Sequence, residues 1–266
     1  LMGSAYSLKL DKIDRSALRV MIGLRKYICS QFKPNVAKAM YDLFKSKNVM
    51  DFSMGWGDRL AGFFANQNTE LYVGLDPRKE NHPIYNQQAE YYNSHLTMFE
   101  TPKTTKFHCE AAEDFNYEDY EDTFDIIFTS PPYFNVERYS HDDTQSWVRY
   151  KDINNWNTQF LQKALDSMLP TLRSGGKLCV NISDVYSPSA GKKAWSKICD
   201  PMNDFIQSYG GMEYKGCIGM EMAKRPNSGG AGTAKDTKQY TEESLQLAKE
   251  TKNKRFCEPI WVWEKK

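Results

Sequence analysis

Several features that mark large classes of protein are missing from this 266-residue sequence. It contains no run of roughly 18 apolar residues, so neither a membrane-spanning helix nor a membrane partner is expected. No basic and then apolar leader opens it, so no secretory signal is expected either. The six cysteines form no C-x-x-C pair, which argues against a zinc ribbon and favours reduced thiols in the cytoplasm, or in the nucleus of a eukaryote. No Cys/His/Asp/Glu cluster with metal-ligand spacing is visible, so no bound metal is expected.

Charge is balanced overall but uneven along the chain. The net charge is +1, from 35 basic and 34 acidic residues. Residues 1–50 carry 10 Lys/Arg against 3 Asp/Glu, whereas residues 110–145 carry 1 against 11. This pattern is compatible with a basic face that meets phosphates, but charge alone favours ordinary solvated surfaces, so charge does not indicate nucleic acid as a partner.

The composition, with 40% hydrophobic and 26% charged residues, is that of a globular chain. The opening Leu1-Met-Gly-Ser4 resembles a cloning remnant, and residues 1–24 are interpreted as an N-terminal extension. Residues 25–266 are predicted to form a single domain. Residues 223–255, first Gly-rich and then Lys/Glu-rich, are predicted to be an insertion between the last two strands, because loops of this length are uncommon unless functional.

Strand and helix patterns alternate through the predicted domain. Apolar strands are predicted at 48–54, 71–75, 106–109, 124–129, 177–182, 212–222 and 256–263. Helices are predicted at 35–47, 58–65 and 79–95, from Trp156 to Leu172, and near 192–208. This alternation implies crossover connections. We therefore predict an α/β fold, a doubly wound, mostly parallel sheet of seven strands with the last strand antiparallel.

Ligands of such sheets bind at the carboxyl ends of the strands, and the first strand here ends in Asp51-Phe-Ser-Met-Gly-Trp-Gly57. Glycines allow close approach of the backbone to a ligand, and the following helix start offers free N–H groups. This is not the G-x-G-x-x-G dinucleotide motif, because Leu60 stands where the third glycine would be. A tight turn after a strand is the alternative interpretation.

Asp76 ends the second strand, about 20 residues after the glycines. An acidic residue there can accept hydrogen bonds from both hydroxyls of a ribose. On its own it is equally a turn residue before Pro77. Together, the glycine loop and the spaced acid indicate a nucleoside cofactor.

Ser130-Pro131-Pro132-Tyr133 directly follows the buried fourth strand. The two prolines fix φ and remove two backbone donors, so the neighbouring carbonyls are held rigidly. Ser130 and the Pro131 carbonyl can accept hydrogen bonds from an exocyclic amine, and Tyr133 offers a flat face for stacking. These are the requirements of a flipped-out base. A lone S-P-P-Y is usually a turn, but its place beside the cofactor loop favours a site.

Together these motifs resemble those of the S-adenosylmethionine-dependent amino methyltransferases that act on nucleic-acid bases. Thr129 to Tyr133 is similar to their [D/N/S]-P-P-[Y/F/W] motif, and Asp51 to Gly57 to their methionine-end loop. Gln31 to Met40 resembles their F-x-P-x-x-[VI]-A segment, and Pro170 to Leu178 their helix–Gly-Gly–strand element. The resemblance spans about residues 25–265 and implies the Rossmann-like class I methyltransferase fold. The Gly-Trp-Gly form is similar to enzymes of phages and large DNA viruses.

The resemblance implies S-adenosyl-L-methionine as cofactor and a set of binding residues, which are Phe32, Pro34, Asp51, Ser53, Gly55, Gly57, Asp76, Ala112 and Glu113. In this family the first loop, here Asp51, Ser53, Gly55 and Gly57, holds the methionine part, and Asp76 holds the ribose. Ala112 and Glu113 lie near the adenine, and Phe32 and Pro34 close the pocket. The family often has Asp-Ala where this chain has Ala111-Ala112, so a side-chain contact to adenine is not implied. The catalytic loop is Ser130, Pro131, Pro132 and Tyr133.

Serine at the first motif position is typical of enzymes that methylate N4 of cytosine, whereas aspartate or asparagine is commoner in N6-adenine enzymes. The expected activity is therefore N4-cytosine methylation of DNA by a monomer or homodimer. N6-adenine methylation of DNA, methylation of RNA, and a catalytically inactive nucleic-acid-binding subunit are the alternatives. C5-cytosine chemistry is not expected, because it needs a Pro-Cys nucleophile here and no cysteine lies between Cys109 and Cys179.

Two segments are candidates for reading the target, namely residues 134–151 and the predicted insertion. The first interleaves Phe134, Tyr139, Trp147 and Tyr150 with Arg138, Arg149 and Lys151. It is compatible with a loop that stacks on bases and holds phosphates. It is equally compatible with a lid that packs its aromatic residues onto the core.

Overall fold

The computed structural model describes residues 31–96, 101–134, 138–187, 194–222 and 257–266. The predicted extension 1–24 and insertion 223–255 lie outside the described residues. The strands are β1 (Asn48–Asp51), β2 (Leu71–Leu75), β3 (Thr104–His108), β4 (Phe124–Thr129), β5 (Leu172–Asn181), β6 (Val185–Ser187), β7 (Ala194–Ser196), β8 (Met212–Glu221) and β9 (Cys257–Lys265). The α-helices are α1 (Pro34–Leu43), α2 (Asp58–Phe64), α3 (His82–Ser94), α4 (Ser146–Arg149), α5 (Ile153–Asn155), α6 (Lys163–Met168) and α7 (Cys199–Tyr209). A π-helical stretch, Trp156–Gln162, joins α5 to α6, and short 3₁₀ turns lie at Lys79–Asn81, Glu118–Tyr120 and Leu169–Thr171.

Seven strands form one sheet in the order β3-β2-β1-β4-β5-β9-β8. Strands β1 to β5 are parallel, and β9 runs antiparallel to both of its neighbours. The strand order reverses between β1 and β4, which is the switch point where ligands of such sheets bind. The predicted doubly wound sheet with an antiparallel last strand is confirmed. The two-stranded ribbon of β6 and β7 was not predicted.

Two predicted boundaries were wrong for reasons of strand pairing. The helix predicted to reach Leu172 ends at Met168, and Gly175-Gly176 lies inside β5. In the β4–β5 register Phe124 pairs with Leu172 and Ile126 with Lys177, so residues 173–176 form a bulge. A Cβ on Gly176 would stand 2.8 Å from the Arg173 carbonyl and 3.0 Å from the Phe124 carbonyl, so the backbone of this bulge leaves little room for a side chain. The helix predicted near 192–208 begins only at Cys199, because residues 194–196 pair with β6.

The central strands are buried on both faces, which explains their nearly continuous apolar sequence. In β4, Phe124 and Ile127 pack on one side with the helical segment from Trp156 to Met168. Ile126 and Phe128 pack on the other side with α1 and α2. Each fully buried side chain of this kind contributes about 1.5–3 kcal/mol. Across the described ranges, no helix is both long and apolar enough to cross a bilayer.

Candidate functional site

A cleft opens at the carboxyl ends of the parallel strands, beside the switch point. Its wall contains residues that follow four different strands, namely Ser53, Gly55, Asp76, Ala112, Glu113, Ser130 and Pro132. The fold therefore brings part of the predicted cofactor set and part of the S-P-P-Y motif into one cleft.

Gly55 shapes the loop after β1. Its φ is +58°, a left-handed conformation that glycine adopts without strain. Its N–H donates to Asp76 Oδ2 at 3.0 Å, and its carbonyl accepts from Asn81 Nδ2 at 3.0 Å. A Cβ here would meet no heavy atom nearer than the Ser53 carbonyl at 4.0 Å, so the space beside this glycine is open to a ligand.

Asp76 is an acidic residue of the cleft wall. Its Oδ1 accepts the Arg78 N–H at 2.9 Å, and its Oδ2 accepts the Gly55 N–H. A carboxylate has about four acceptor positions, so these two bonds leave one on each oxygen. Burial raises the pKa of Asp76, although the two backbone N–H groups oppose that shift. The free acceptor positions suit a ligand with two adjacent hydroxyls.

Asp51 differs from the expected direct contact with a cofactor. It is 0% exposed and is absent from the cleft wall. Its Oδ2 accepts from Arg59 Nε at 2.8 Å and Tyr72 Oη at 2.7 Å. Its Oδ1 accepts from Arg59 Nη2 at 3.1 Å and the Ser53 N–H at 3.2 Å. All of its roughly four acceptor positions are used. Asp51 therefore holds the loop in place from the protein interior, together with Arg59, which also donates to the Ser53 carbonyl.

Three other predicted cofactor residues also lie away from the cleft wall. Gly57 caps α2 with φ +80°, a left-handed conformation that favours glycine, and its carbonyl accepts from Gln88 Nε2 on α3 at 3.2 Å. Phe32 packs edge-on against Phe128 at 5.5 Å between ring centroids. Pro34 is the exposed first residue of α1. Gly57 therefore caps a helix, Phe32 packs against an aromatic side chain, and Pro34 begins a helix.

Glu113 is a buried acid on the cleft wall. Its side chain is 1% exposed, and burial raises the pKa of its carboxyl. Arg149 Nη1 lies 3.1 Å from its Oε1, and Tyr150 Oη donates to the same oxygen at 3.2 Å. Arg149 also pairs with Asp114. The segment 138–151 is therefore tied to the loop after β3.

Part of the segment 134–151 lines the cleft. Residues Tyr139, Thr144, Gln145 and Ser146 line the cleft. Trp147 donates its Nε1 hydrogen to the Ser140 carbonyl at 3.0 Å, and Phe134 packs against Trp156 at 6.2 Å between centroids. Phe134 therefore packs onto the core, whereas the Trp147 hydrogen bond lies within the segment, so both interpretations left open by the sequence remain.

The S-P-P-Y loop begins on the cleft wall and then turns inward. Ser130 and Pro132 line the cleft, Pro131 is buried, and Tyr133 is half-buried against the core. The next residue, Phe134, has φ +44°, a conformation that costs a non-glycine residue of order 1–3 kcal/mol. Its N–H donates to the Pro132 carbonyl at 3.0 Å, which holds the turn.

Other wall residues were not predicted, among them Trp56, Arg78, Asn81 and Phe160. The Arg78 guanidinium lies 5.3 Å from the centre of the Trp56 ring, and Tyr139 meets that ring edge-on at 6.4 Å. Phe160 belongs to the π-helical stretch, a feature that often marks functional sites. The exposed tryptophan between two glycines was a usable signal, whereas the other three had none in the sequence.

No protein-family model and no curated protein matches the chain. Solved structures do. The chain is similar to PH0851, with 13% identity, 90% of this chain and 47% of that chain covered, and a TM-score of 0.50. A protein from Listeria monocytogenes described as an S-adenosylmethionine-dependent methyltransferase has 11% identity, coverage of 87% and 99%, and a TM-score of 0.45. The 1,6-didemethyltoxoflavin-N1-methyltransferase of Burkholderia thailandensis, solved with 1,6-didemethyltoxoflavin and S-adenosylhomocysteine, has 11% identity, coverage of 87% and 77%, and a TM-score of 0.48.

The chain has the class I methyltransferase fold. The order of its seven strands and the antiparallel β9 carry this assignment. At these identities the similarity to solved structures concerns the fold and not the substrate.

Proposed function

We propose that this protein is an S-adenosylmethionine-dependent methyltransferase that modifies the exocyclic amine of a flipped-out base in DNA, with N4 of cytosine as the favoured acceptor. One observation carries the proposal. Gly55 and Asp76, which suit a nucleoside cofactor, share a single cleft with Ser130 and Pro132 of the amine-binding motif. Methyl transfer requires cofactor and acceptor to lie side by side in this way.

The cleft residues fit S-adenosylmethionine, which supplies an electrophilic methyl group when bound. Asp76 has two free acceptor positions for the ribose hydroxyls, and the open side of Gly55 admits the methionine part next to Ser53. Ala112 and Glu113 flank the space for the adenine. The buried Asp51–Arg59 pair holds this loop in place before any ligand arrives.

The S-P-P-Y loop would act on the acceptor by positioning it. The lone pair of an exocyclic amine is delocalised into the base, so the nitrogen is a poor nucleophile. Hydrogen bonds from the amine to Ser130 and to the Pro131 carbonyl favour a more tetrahedral nitrogen, aligned with the methyl group. Catalysis of this kind relies on orientation and fixed dipoles, with no covalent enzyme intermediate.

The proposal is tested by mass spectrometry of nucleosides from DNA recovered after expression in a host without DNA methylation. We expect N4-methylcytosine with the wild type and much less of it with Ser130→Ala expressed to the same level. N6-methyladenine would move the acceptor to adenine, and methylation confined to RNA would change the substrate class. Cofactor binding without any methylated base would favour a binding subunit.

Cofactor affinity is expected to fall in acid. Only the ionised Asp76 carboxylate can accept both ribose hydroxyls, and burial raises its pKa above the ordinary 3.8. Protonation therefore begins at a higher pH than for an exposed aspartate, and affinity should be full well above that raised pKa and lost as pH falls through it. Calorimetric titration with S-adenosylhomocysteine at a series of pH values measures this.

Glu113→Gln and His82→Gln are the controls for the acid effect, because both residues lie near the site and have ionisable side chains. Burial also raises the pKa of Glu113, and the charge of His82 acts on Asp76. The loss of affinity should persist in both variants. A flat affinity in the wild type down to the ordinary aspartate pKa would contradict the role given to Asp76.

Tyr133 is expected to stack on the extruded base, although its ring is half-buried against the core. Tyr133→Phe should keep the single-turnover methylation rate, whereas Tyr133→Ala should lower it by roughly 5- to 150-fold, since stacking contributes about 1–3 kcal/mol per base. Cofactor affinity should barely change in either variant. Tyr133→Leu separates stacking from packing, because leucine fills space without an aromatic face. If Tyr133→Leu were as fast as wild type, packing and not stacking would explain the role of Tyr133. If Tyr133→Ala were as fast as Tyr133→Phe, the base would bind elsewhere.

A further inference from the structure

Asn181 ends β5 immediately beside the S-P-P-Y loop. It is 1% exposed, in a strand whose neighbours Cys179 and Val180 are apolar and fully buried. Its Nδ2 donates to the Pro259 carbonyl at 2.9 Å, and its Oδ1 accepts from Ser130 Oγ at 3.3 Å. A buried amide is costly unless it is hydrogen-bonded, so its partners define what it does.

The partner on β9 decides which way the amide points. The Pro259 oxygen is an acceptor only, so the amide nitrogen must face it, and Oδ1 must then face Ser130. An amide oxygen cannot donate, so the Ser130 hydroxyl gives its one proton to Asn181. The lone pairs of Ser130 Oγ are left for groups in the cleft. At 3.3 Å this bond is long for a hydroxyl donor, so it biases the rotation of the hydroxyl without locking it.

The direction of this proton matters for an amine acceptor. A hydroxyl that is free to rotate can donate to the amine nitrogen and occupy the lone pair that must attack the methyl group. A hydroxyl whose proton is held elsewhere can only accept an N–H from that amine. The acceptor side of Ser130 therefore favours substrates that bring their own N–H groups.

We propose that Asn181 is a positioning residue that turns Ser130 into a hydrogen-bond acceptor and so selects an amino group as methyl acceptor. The inference rests on the proposed function. The fold supplies the geometry, because β5 lies between β4, which leads into Ser130, and β9, which carries Pro259. Asn181 pairs with Ile260 in the ladder, one residue from its hydrogen-bond partner.

The test is a double-mutant cycle on the single-turnover rate of DNA methylation. Asn181→Leu should lower this rate roughly 3- to 10-fold, the effect of one hydrogen bond, without changing the cofactor Kd. In the Ser130→Ala background the same substitution should cause no further loss, because the proton that it orients is gone. Equal losses in both backgrounds, or no loss in the wild-type background, would overturn the proposal.

Two further variants keep the test decisive if Asn181→Leu folds poorly. Asn181→Asp retains an acceptor for Ser130 and loses the donor to Pro259, so it should keep a rate within about 3-fold of wild type. A rate as low as that of Ser130→Ala would refute the proposal. Asn157 is the matched control, since it is also buried and donates its Nδ2 hydrogen to a backbone carbonyl, that of Lys197, at 2.9 Å. Asn157→Leu should lower the melting temperature and leave the rate unchanged.

A spectroscopic measurement separates failure of this inference from failure of the proposed function. The side-chain amide signals of Asn181 are identified in the ¹H–¹⁵N spectrum by their loss in Asn181→Leu. They should shift in Ser130→Ala and not in Ser46→Ala, which removes another buried hydroxyl. A wild type that methylates no base but shows this shift would refute the function and keep the Asn181–Ser130 contact. Unshifted signals in an active enzyme would overturn the inference alone.

Discussion

Asp76→Ala is expected to weaken binding of S-adenosylmethionine by about 1.5–3 kcal/mol for each charged hydrogen bond lost. With two ribose hydroxyls on the carboxylate, the Kd should rise by roughly 100-fold or more. The structure supports this size, because Asp76 keeps one acceptor position on each oxygen after bonding the N–H groups of Gly55 and Arg78. Isothermal titration calorimetry measures the change.

Glu80→Ala is the matched control, because Glu80 is the next acidic residue along the chain. Its side chain is 67% exposed and lies 3.5 Å from Arg78 Nε. It should leave the Kd unchanged. A normal Kd in Asp76→Ala, with a raised one in Glu80→Ala, would move the ribose to the second acid. Melting temperatures without ligand show how much of any effect comes from a loosened loop.

Asp51→Ala is expected to destabilise the protein by about 3–5 kcal/mol, the usual effect of removing one partner of a buried ion pair. Burial alone would lower the pKa of Arg59, but the charge and hydrogen bonds of Asp51 outweigh burial and raise it. Without Asp51 the guanidinium remains charged, buried and unpaired in this site. Urea denaturation measures the loss of unfolding free energy.

The exposed pair of Lys47 and Glu70 is the control for this effect. Both side chains are about 60% exposed, and Glu70→Ala should change stability by only about 0–1 kcal/mol. A double variant, Asp51→Leu with Arg59→Met, should recover most of the stability lost, because well-packed apolar pairs often replace buried ion pairs. The recovered protein should still bind cofactor more weakly than wild type, because it lacks the hydrogen bonds from Asp51 and Arg59 that hold Ser53. An unchanged cofactor affinity would contradict the loop-holding role of this pair.

The sheet could be predicted because its central strands are apolar on both faces and are separated by helical periodicity. The cleft followed from the rule that parallel strands place their carboxyl ends at one edge. The side of a loop that faces a ligand could not be predicted in the same way. The family resemblance implied that Asp51 holds the methionine part, yet Arg59, eight residues later on α2, donates two hydrogen bonds to its carboxylate.

Residues that meet only through tertiary packing left no signal in the sequence. Asn81 belongs to the site because the start of α3 lies against the Gly55 loop, and spacing along the chain does not show that approach. In the sequence Asn181 is one polar residue of an apolar strand. Its contact with Pro259 depends on the β5–β9 register, which the sequence does not show. The Gly175-Gly176 pair looked like a helix end, because its bulge is visible only once β4 and β5 are aligned.

The position of β9 in the sheet has a consequence for how late in synthesis the sheet can be completed. In the described sheet β8 pairs with β9 alone, and β9 joins it to β5. During synthesis β8 emerges from the ribosome first and has no place in the sheet until β9 follows. Until β9 is made, β5 lacks its partner strand on that side, and Asn181 lacks the Pro259 carbonyl that orients its amide. A nascent chain that stops short of β9 therefore lacks the strand that joins β8 to the sheet, and with it the carbonyl that orients Asn181 toward Ser130.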